Sequence, residues 1–232
     1  MFATRTPVMT RTLRVLARLL SYPDAALRAH LDEMRDALRG EGALSSARLA
    51  EIDALMASIA RQSAIDAEAD YVQLFDSGRS TSLYLFEHVH GDSRDRGPAM
   101  IDLAQTYEQA GLYLGEGQMP DHLPVILEYA STQPPREARA FLAEMAHILN
   151  AIFNALERRA SRYASVPGAL LELAGETART VAVADDPPLD EAWDEPLAFD
   201  GCSSHGQSRP GQSGQPQPIQ IVRRGADQGV QP

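Results

Sequence analysis

From Thr10 to about residue 181 the apolar residues recur three and four positions apart, the interval that gathers side chains on one face of an α-helix. Thr10 to Ser21 carries Leu13, Leu16 and Leu20 on one stripe with Val15 and Leu19 beside it, and Tyr22-Pro23 stops it. Asp24 is placed to cap a second helix whose stripe Leu27, Leu31, Met34, Leu38 runs to Gly40, so the first two helices should form a hairpin. A third helix begins at Ser45 or Ser46 and turns Leu49, Ile52, Leu55, Met56 and Ile59 inward. A fourth, from about residue 66, carries Tyr71, Leu74 and Phe75 and breaks at Ser77-Gly78.

Period alone does not decide Ser80 to His90, since its apolar run suits a buried strand or a helical turn. No strand-like run lies nearby to pair with it, so a helix is expected. Gly91 to Gly97 reads as a charged loop. Pro98 then opens a helix with Met100, Ile101, Leu103, Ala104, Tyr107 and Leu112, ending at Gly111 and Gly115-Glu116-Gly117. Pro120 to Pro124 is a turn into a helix with Leu123, Ile126, Leu127 and Tyr129. Pro134-Pro135 starts the longest predicted helix, up to about residue 160, with Phe141, Leu142, Met145, Ile148, Leu149, Ile152, Phe153 and Leu156 on its stripe and His147 off it. A last helix, from Pro167 to Val181, carries Leu170, Leu173, Ala174 and Thr177. The expected fold class is all-α, a single-domain helical bundle over residues 1–184.

From Asp185 the pattern stops. Residues 185–232 are first acidic, then rich in Gly, Ser, Gln and Pro, a composition that cannot repay the entropy of ordering. Trp193, Leu197 and Phe199 are the exception and suit a short docking segment. Nine acidic residues between Glu172 and Asp200 face a single Arg179, which reads first as a solvated linker. All 21 basic residues are Arg, and the net charge of -11 argues against nucleic acid as a partner and suits basic ones. Cys202 is the only cysteine, so no intrachain disulfide forms, and its Ser/Gly-rich surroundings give a nucleophile no scaffold. No window reaches the roughly 18 consecutive apolar residues of a membrane helix, and no cleavage pattern follows the N-terminal leucines. The expected location is the cytoplasm, without stable membrane insertion.

The unusual stretch is Tyr71 to Pro124, where Leu83, Tyr84, Leu85 and Phe86 run directly into Glu87, His88, His90, Asp92, Arg94, Asp95 and Arg96. A metal site is disfavoured, because His88 and His90 are two apart and point to different faces of a helix, whereas zinc sites use His pairs three or four apart, or cysteines. Ser80, Ser82 and Ser93 lack the strained elbow of a nucleophile and suit turns and caps. No G-x-G-x-x-G follows a strand, and a phosphate-loop lysine is impossible in a chain without lysine. The number of aromatic residues beside Glu87, His88, Asp121 and His122 points instead to an apolar groove with a polar lip, suited to a short amphipathic helix.

The run SLYLFEHVHGDSRDRGPAMIDL, preceded by YVQLFD and followed by PDHLPVILEY, resembles the NarJ-type chaperones of respiratory nitrate reductase, also called the delta subunit, within the wider TorD-like family of redox-enzyme maturation proteins. The resemblance spans Leu13 to Val181 in helix order and is sharp from Tyr71 to Tyr129. Pro120, Asp121 and His122 are contiguous, as in the nitrate reductase branch, whereas the wider family has an extra residue between Pro and Asp. It implies an all-α fold and a chaperone, not an enzyme, that binds the N-terminal segment of the catalytic (alpha) subunit. The client would be held competent for molybdenum cofactor insertion before membrane docking. The chaperone would hold no cofactor stably, and cofactor-delivery proteins would be further partners.

On this reading Tyr71, Phe75, Leu83, Tyr84, Phe86 and Leu123 line or support the groove. Glu87, His88, Asp121 and His122 form its lip, with Glu87 and Asp121 meeting basic groups of the client. Arg94 and Arg96 are expected to pair with Asp92, Asp95 or Asp102, or to contact a second client surface. The rival readings are a metalloprotein or enzyme using the His/Asp/Glu cluster, and an adapter that binds a folded partner through its acidic arm.

Overall fold

The computed structural model describes residues 6–91 and 93–180. Among them lie eleven α-helices: α1 (Thr10–Leu19), α2 (Ala25–Ala29), α3 (Leu31–Glu41), α4 (Ser46–Arg61), α5 (Ala64–Phe75), α6 (Leu85–Val89), α7 (Arg96–Gln109), α8 (Leu123–Thr132), α9 (Pro135–Glu144), α10 (Ala146–Arg158) and α11 (Ser165–Ala174). Two 3-10 turns, Arg79–Thr81 and Arg162–Ala164, join them. No strand forms among the described residues, as the helical period requires.

Two helices organise the core. The first, α1, packs against α8 and α3 and buries Leu13, Leu16 and Leu19 completely. Its N-terminus is closed from outside, because Glu41 at the end of α3 accepts the amides of Arg11 and Thr12 at 3.0 and 2.7 Å. That carboxylate satisfies two of the helix's orphan donors and meets the positive end of its dipole. The second, α11, packs on α4, α9 and α10 and is buried on almost every side, as a helix apolar all round must be. Gly168 lies against the Arg48 side chain of α4, whose guanidinium a Cβ there would displace.

Serine and aspartate caps set the helix starts. The side chains of Asp24, Ser45 and Ser63 accept the amides of Leu27, Arg48 and Asp66. Two predicted helices are each broken in two. Asp24 caps only α2, because the His30 ring takes the Ala26 carbonyl at 2.6 Å and the His30 amide shifts to Leu27 O. The chain then restarts as α3 and ends at Gly42, with φ of 64°, so Gly40 lies inside a helix instead of after it. The long helix expected from Pro135 bends at Met145, whose amide bonds Leu142 O, and the bend lets both α9 and α10 lie on α11. The last helix stops at Gly175, φ 81°, short of the expected Val181, which lies outside the described residues. So do the boundary at residue 184, the acidic run from Asp185, Trp193, Leu197, Phe199, Cys202 and the rest of the tail.

Candidate functional site

Between Pro120 and Pro124 the chain turns at Asp121 and is extended at His122 before α8 begins, and this short segment supplies the partner that Leu83 to Phe86 lacks in sequence. The amide of Leu85 donates to Asp121 O at 3.0 Å and that of Leu123 to Leu83 O at 2.8 Å, making one antiparallel bridge between Tyr84 and His122. Helix α6 therefore covers only Leu85–Val89, and the expected single helix from Ser80 to His90 is corrected to an extended pair followed by a short helix. Across the bridge the Tyr84 and His122 rings stack, with centroids 4.9 Å apart and planes at 28°.

Aspartate 121 sits at the centre and is fully buried. One carboxylate oxygen, Oδ2, accepts the Phe86 amide at 3.2 Å, and the Arg96 guanidinium lies 4.0 Å from it. The other, Oδ1, has no hydrogen-bond partner. Burial pushes the Asp121 carboxyl above the usual carboxylate range, against the opposing pull of the Phe86 amide, Arg96 and its own amide. Asp121 is thus not a surface lip residue, a correction that follows from its full burial, with Oδ2 turned to the Phe86 amide in the first turn of α6.

The remaining predicted residues divide into core and rim. Tyr71 is sealed within an aromatic cluster, 4.9 Å from Phe75 and 6.2 Å from Tyr163, and its hydroxyl donates to Leu20 O at 2.7 Å. It supports the site from below and lines no opening. Leu83 and Leu123 are likewise core. Tyr84, Phe86, Glu87, His88 and His122 are half-buried. Phe75, Ser82, Tyr84 and Glu87 border an open cavity of about 410 Å³, with Asp76 and Arg79 on its other side. An open furrow therefore lies against Tyr84, with Phe75 among the residues that line it.

Histidines 88 and 90 diverge. His88 Nε2 meets Ser82 O at 2.9 Å, whereas the His90 ring stands edge-on to Phe86. Among the described residues no group of three or more His, Cys, Asp or Glu side chains is arranged to hold a metal ion. Burial holds the His122 imidazole below its ordinary value, partly opposed by Asp76, and raises the Tyr84 phenol.

Arginine 96 departs from expectation. Among the described residues it pairs not with Asp95 or Asp102 but with Glu87 at 3.7 Å and Asp121 at 4.0 Å. Tyr107, eleven residues on, donates its hydroxyl to Pro120 O at 2.8 Å. Neither contact was legible in the sequence, because both join segments with no shared period. Arg94 is exposed.

The sequence profile of the nitrate reductase delta subunit family matches residues 22–166, which include the whole site. The chain is 43% identical over 193 residues to the Nitrate reductase molybdenum cofactor assembly chaperone NarJ of Escherichia coli (strain K12), covering 79% of this chain and 82% of that one. It is 34% identical over 188 residues to the same strain's "Probable nitrate reductase molybdenum cofactor assembly chaperone NarW", covering 81% and 78%. The crystal structure of a redox enzyme maturation protein from Archaeoglobus fulgidus superposes with a TM-score of 0.53 at 20% identity, over 76% of this chain and 98% of that one, a likeness of fold.

Proposed function

The chain belongs to the nitrate reductase delta subunit family, and from that membership we propose that it is a system-specific chaperone that binds the N-terminal segment of the nitrate reductase catalytic subunit. It keeps that subunit competent for molybdenum cofactor insertion and membrane assembly. The observation that carries the reading is 43% identity, over most of both chains, to a protein named for this task. The role is that of a chaperone and not of a catalyst, in keeping with relatives named for assembly and maturation.

The furrow against Tyr84 supports a peptide site. Phe75, Tyr84 and Glu87 line it, and the buried Asp121 carboxylate accepts the amide of the neighbouring Phe86. An aromatic wall with carboxylates at one end suits a helical peptide that offers apolar side chains and a basic group. Chaperoning requires release, so the affinity is on the order of micromolar, about 8 kcal/mol. The cofactor belongs to the client, and this chain holds the polypeptide that receives it, with cofactor-delivery proteins as further partners. The site of action is the cytoplasm; no described helix is long and apolar enough to cross a membrane.

Affinity purification of the tagged chain from nitrate-respiring cells tests the proposal. The expected result is co-purification of the catalytic subunit, abolished when that subunit lacks its N-terminal segment. Co-purification that survives the deletion would refute the proposed binding mode.

A further inference from the structure

Helix α7 is held in a way its own sequence does not favour. Its first position is Arg96, a cation against the positive end of the helix dipole, and its last turn carries Glu108 with no basic residue. Asp95 makes no side-chain cap, and Gly97 precedes Pro98, a context that disfavours helical backbone. Only Tyr107 of its 14 residues is buried, and Ile101 is 59% exposed. Other helices meet it at its two ends, Glu87 of α6 at Arg96 and Tyr129 of α8 at Tyr107. Glycines with positive φ, Gly91 before it and Gly111 after it, allow the chain to turn at both ends.

What holds α7 is one stripe. Arg96, Met100, Leu103, Ala104 and Tyr107 share a face by helical spacing. Arg96 meets Glu87 and Asp121 at one end, and about 17 Å along the axis Tyr107 packs on Tyr129 with the rings tilted at 41° and centroids 4.9 Å apart, and donates to Pro120 O. The half-buried Met100, Leu103 and Ala104 lie between. The acidic end is not filled by this arrangement, because Arg96 stands 4.0 Å from Asp121 and the fully buried Oδ1 has no partner. A buried carboxylate with an orphan oxygen is a costly feature to keep without a second cationic visitor.

Resting on the chaperone reading above, we propose that α7 occupies part of the client's seat as a built-in stand-in. The client segment that displaces it is an amphipathic helix bearing a cationic residue one turn ahead of an apolar stripe, as Arg96 precedes Met100, Leu103 and Tyr107. Charge complementarity with Glu87 and Asp121 selects the cation. The shelf formed by Pro120 and Tyr129 receives the apolar end. Because α7 and the client compete, whatever loosens α7 tightens client binding, and whatever stabilises it weakens binding.

Hydrogen exchange on the full chain tests this, with and without a synthetic peptide of about 18 residues, five helical turns, from the N-terminus of the nitrate reductase catalytic subunit. The expected result is loss of protection over residues 96–109 on peptide binding, with gain over residues 121–127. Arg96→Gln, which removes the latch, binds the peptide about 3-fold tighter. Thr106→Ala, on the exposed outer face, strengthens α7 and binds about 2-fold weaker. A peptide that binds while α7 keeps its protection, or that binds both variants with wild-type affinity, overturns the proposal and leaves the chaperone reading standing. A peptide that binds neither the wild type nor Arg96→Gln overturns both.

Discussion

Replacing Asp121 with asparagine should make the protein more stable at neutral pH while it weakens client binding. The carboxylate is fully buried, receives one hydrogen bond from the Phe86 amide, and leaves Oδ1 without a partner. Its carboxyl is raised above the ordinary range, chiefly by burial. As pH rises past the unfolded-chain value of about 3.9, the unfolded chain releases its proton first while the folded chain still holds one. Stability is therefore lost as pH rises through the interval up to the raised folded value, and the loss persists at neutral pH. Asparagine keeps an acceptor for Phe86 N–H and buries a neutral amide, which costs less than a charge. Arg96 is 30% exposed and its guanidinium stands 4.0 Å from Asp121, at the outer limit of an ion pair, so losing that pair costs under about 1 kcal/mol. The net expectation is a gain of about 1 kcal/mol at pH 7, or about 2–4 °C in Tm for a chain of this size. Urea and thermal unfolding of both proteins from acid to neutral pH would read it. The curves should coincide at about pH 4 and separate toward neutrality. A variant less stable at pH 7, or a difference that does not change with pH, would refute the reasoning.

Four further outcomes follow from individual contacts. Ala160 has φ of 50° at the left-handed position closing α10, where Ser161 N bonds Leu156 O and Ala160 N bonds Glu157 O, so Ala160→Gly should raise stability by about 1 kcal/mol in urea titrations. Tyr71→Phe leaves the buried Leu20 carbonyl without its donor and should cost about 1–3 kcal/mol by the same assay. His122 is held below its ordinary value by burial; the unfolded chain takes up its proton first as pH falls, so His122→Gln should flatten the acid-side loss of stability that begins near pH 6.5. Truncation after residue 184 should leave folding and client binding unchanged in circular dichroism and pull-down, since the proposed site lies within residues 71–129; a lost partner would favour the acidic-arm adapter.

Much of the fold is legible in the sequence because its helices are marked twice, by apolar period and by caps. Asp24 and Ser45 stand where the chain turns helical, whereas the ends at Ser63, Gly42 and Gly175 differ from the residue 66, Gly40 and Val181 that the apolar period suggests. The breaks at His30 and Met145 carry no such mark. One arises from a ring capturing a carbonyl, the other from two helix halves fitting one neighbour, and neither leaves a Pro or Gly to read. The site is legible as a neighbourhood but not as a geometry. The aromatics of residues 71–86 look alike in sequence, and only packing separates the sealed Tyr71 from the half-buried Tyr84 and Phe86. The tyrosine–histidine stack, the burial of Asp121 and the reach of Arg96 all depend on two segments about 35 residues apart meeting, which no local period encodes.

Calorimetric titration of the chain with the N-terminal peptide of the catalytic subunit tests the central claim most directly. Binding on the order of micromolar is predicted for the wild type, weakened about tenfold by Tyr84→Ala, which removes the furrow's aromatic wall. No heat with the wild-type chain, or equal affinity for Tyr84→Ala, would contradict it.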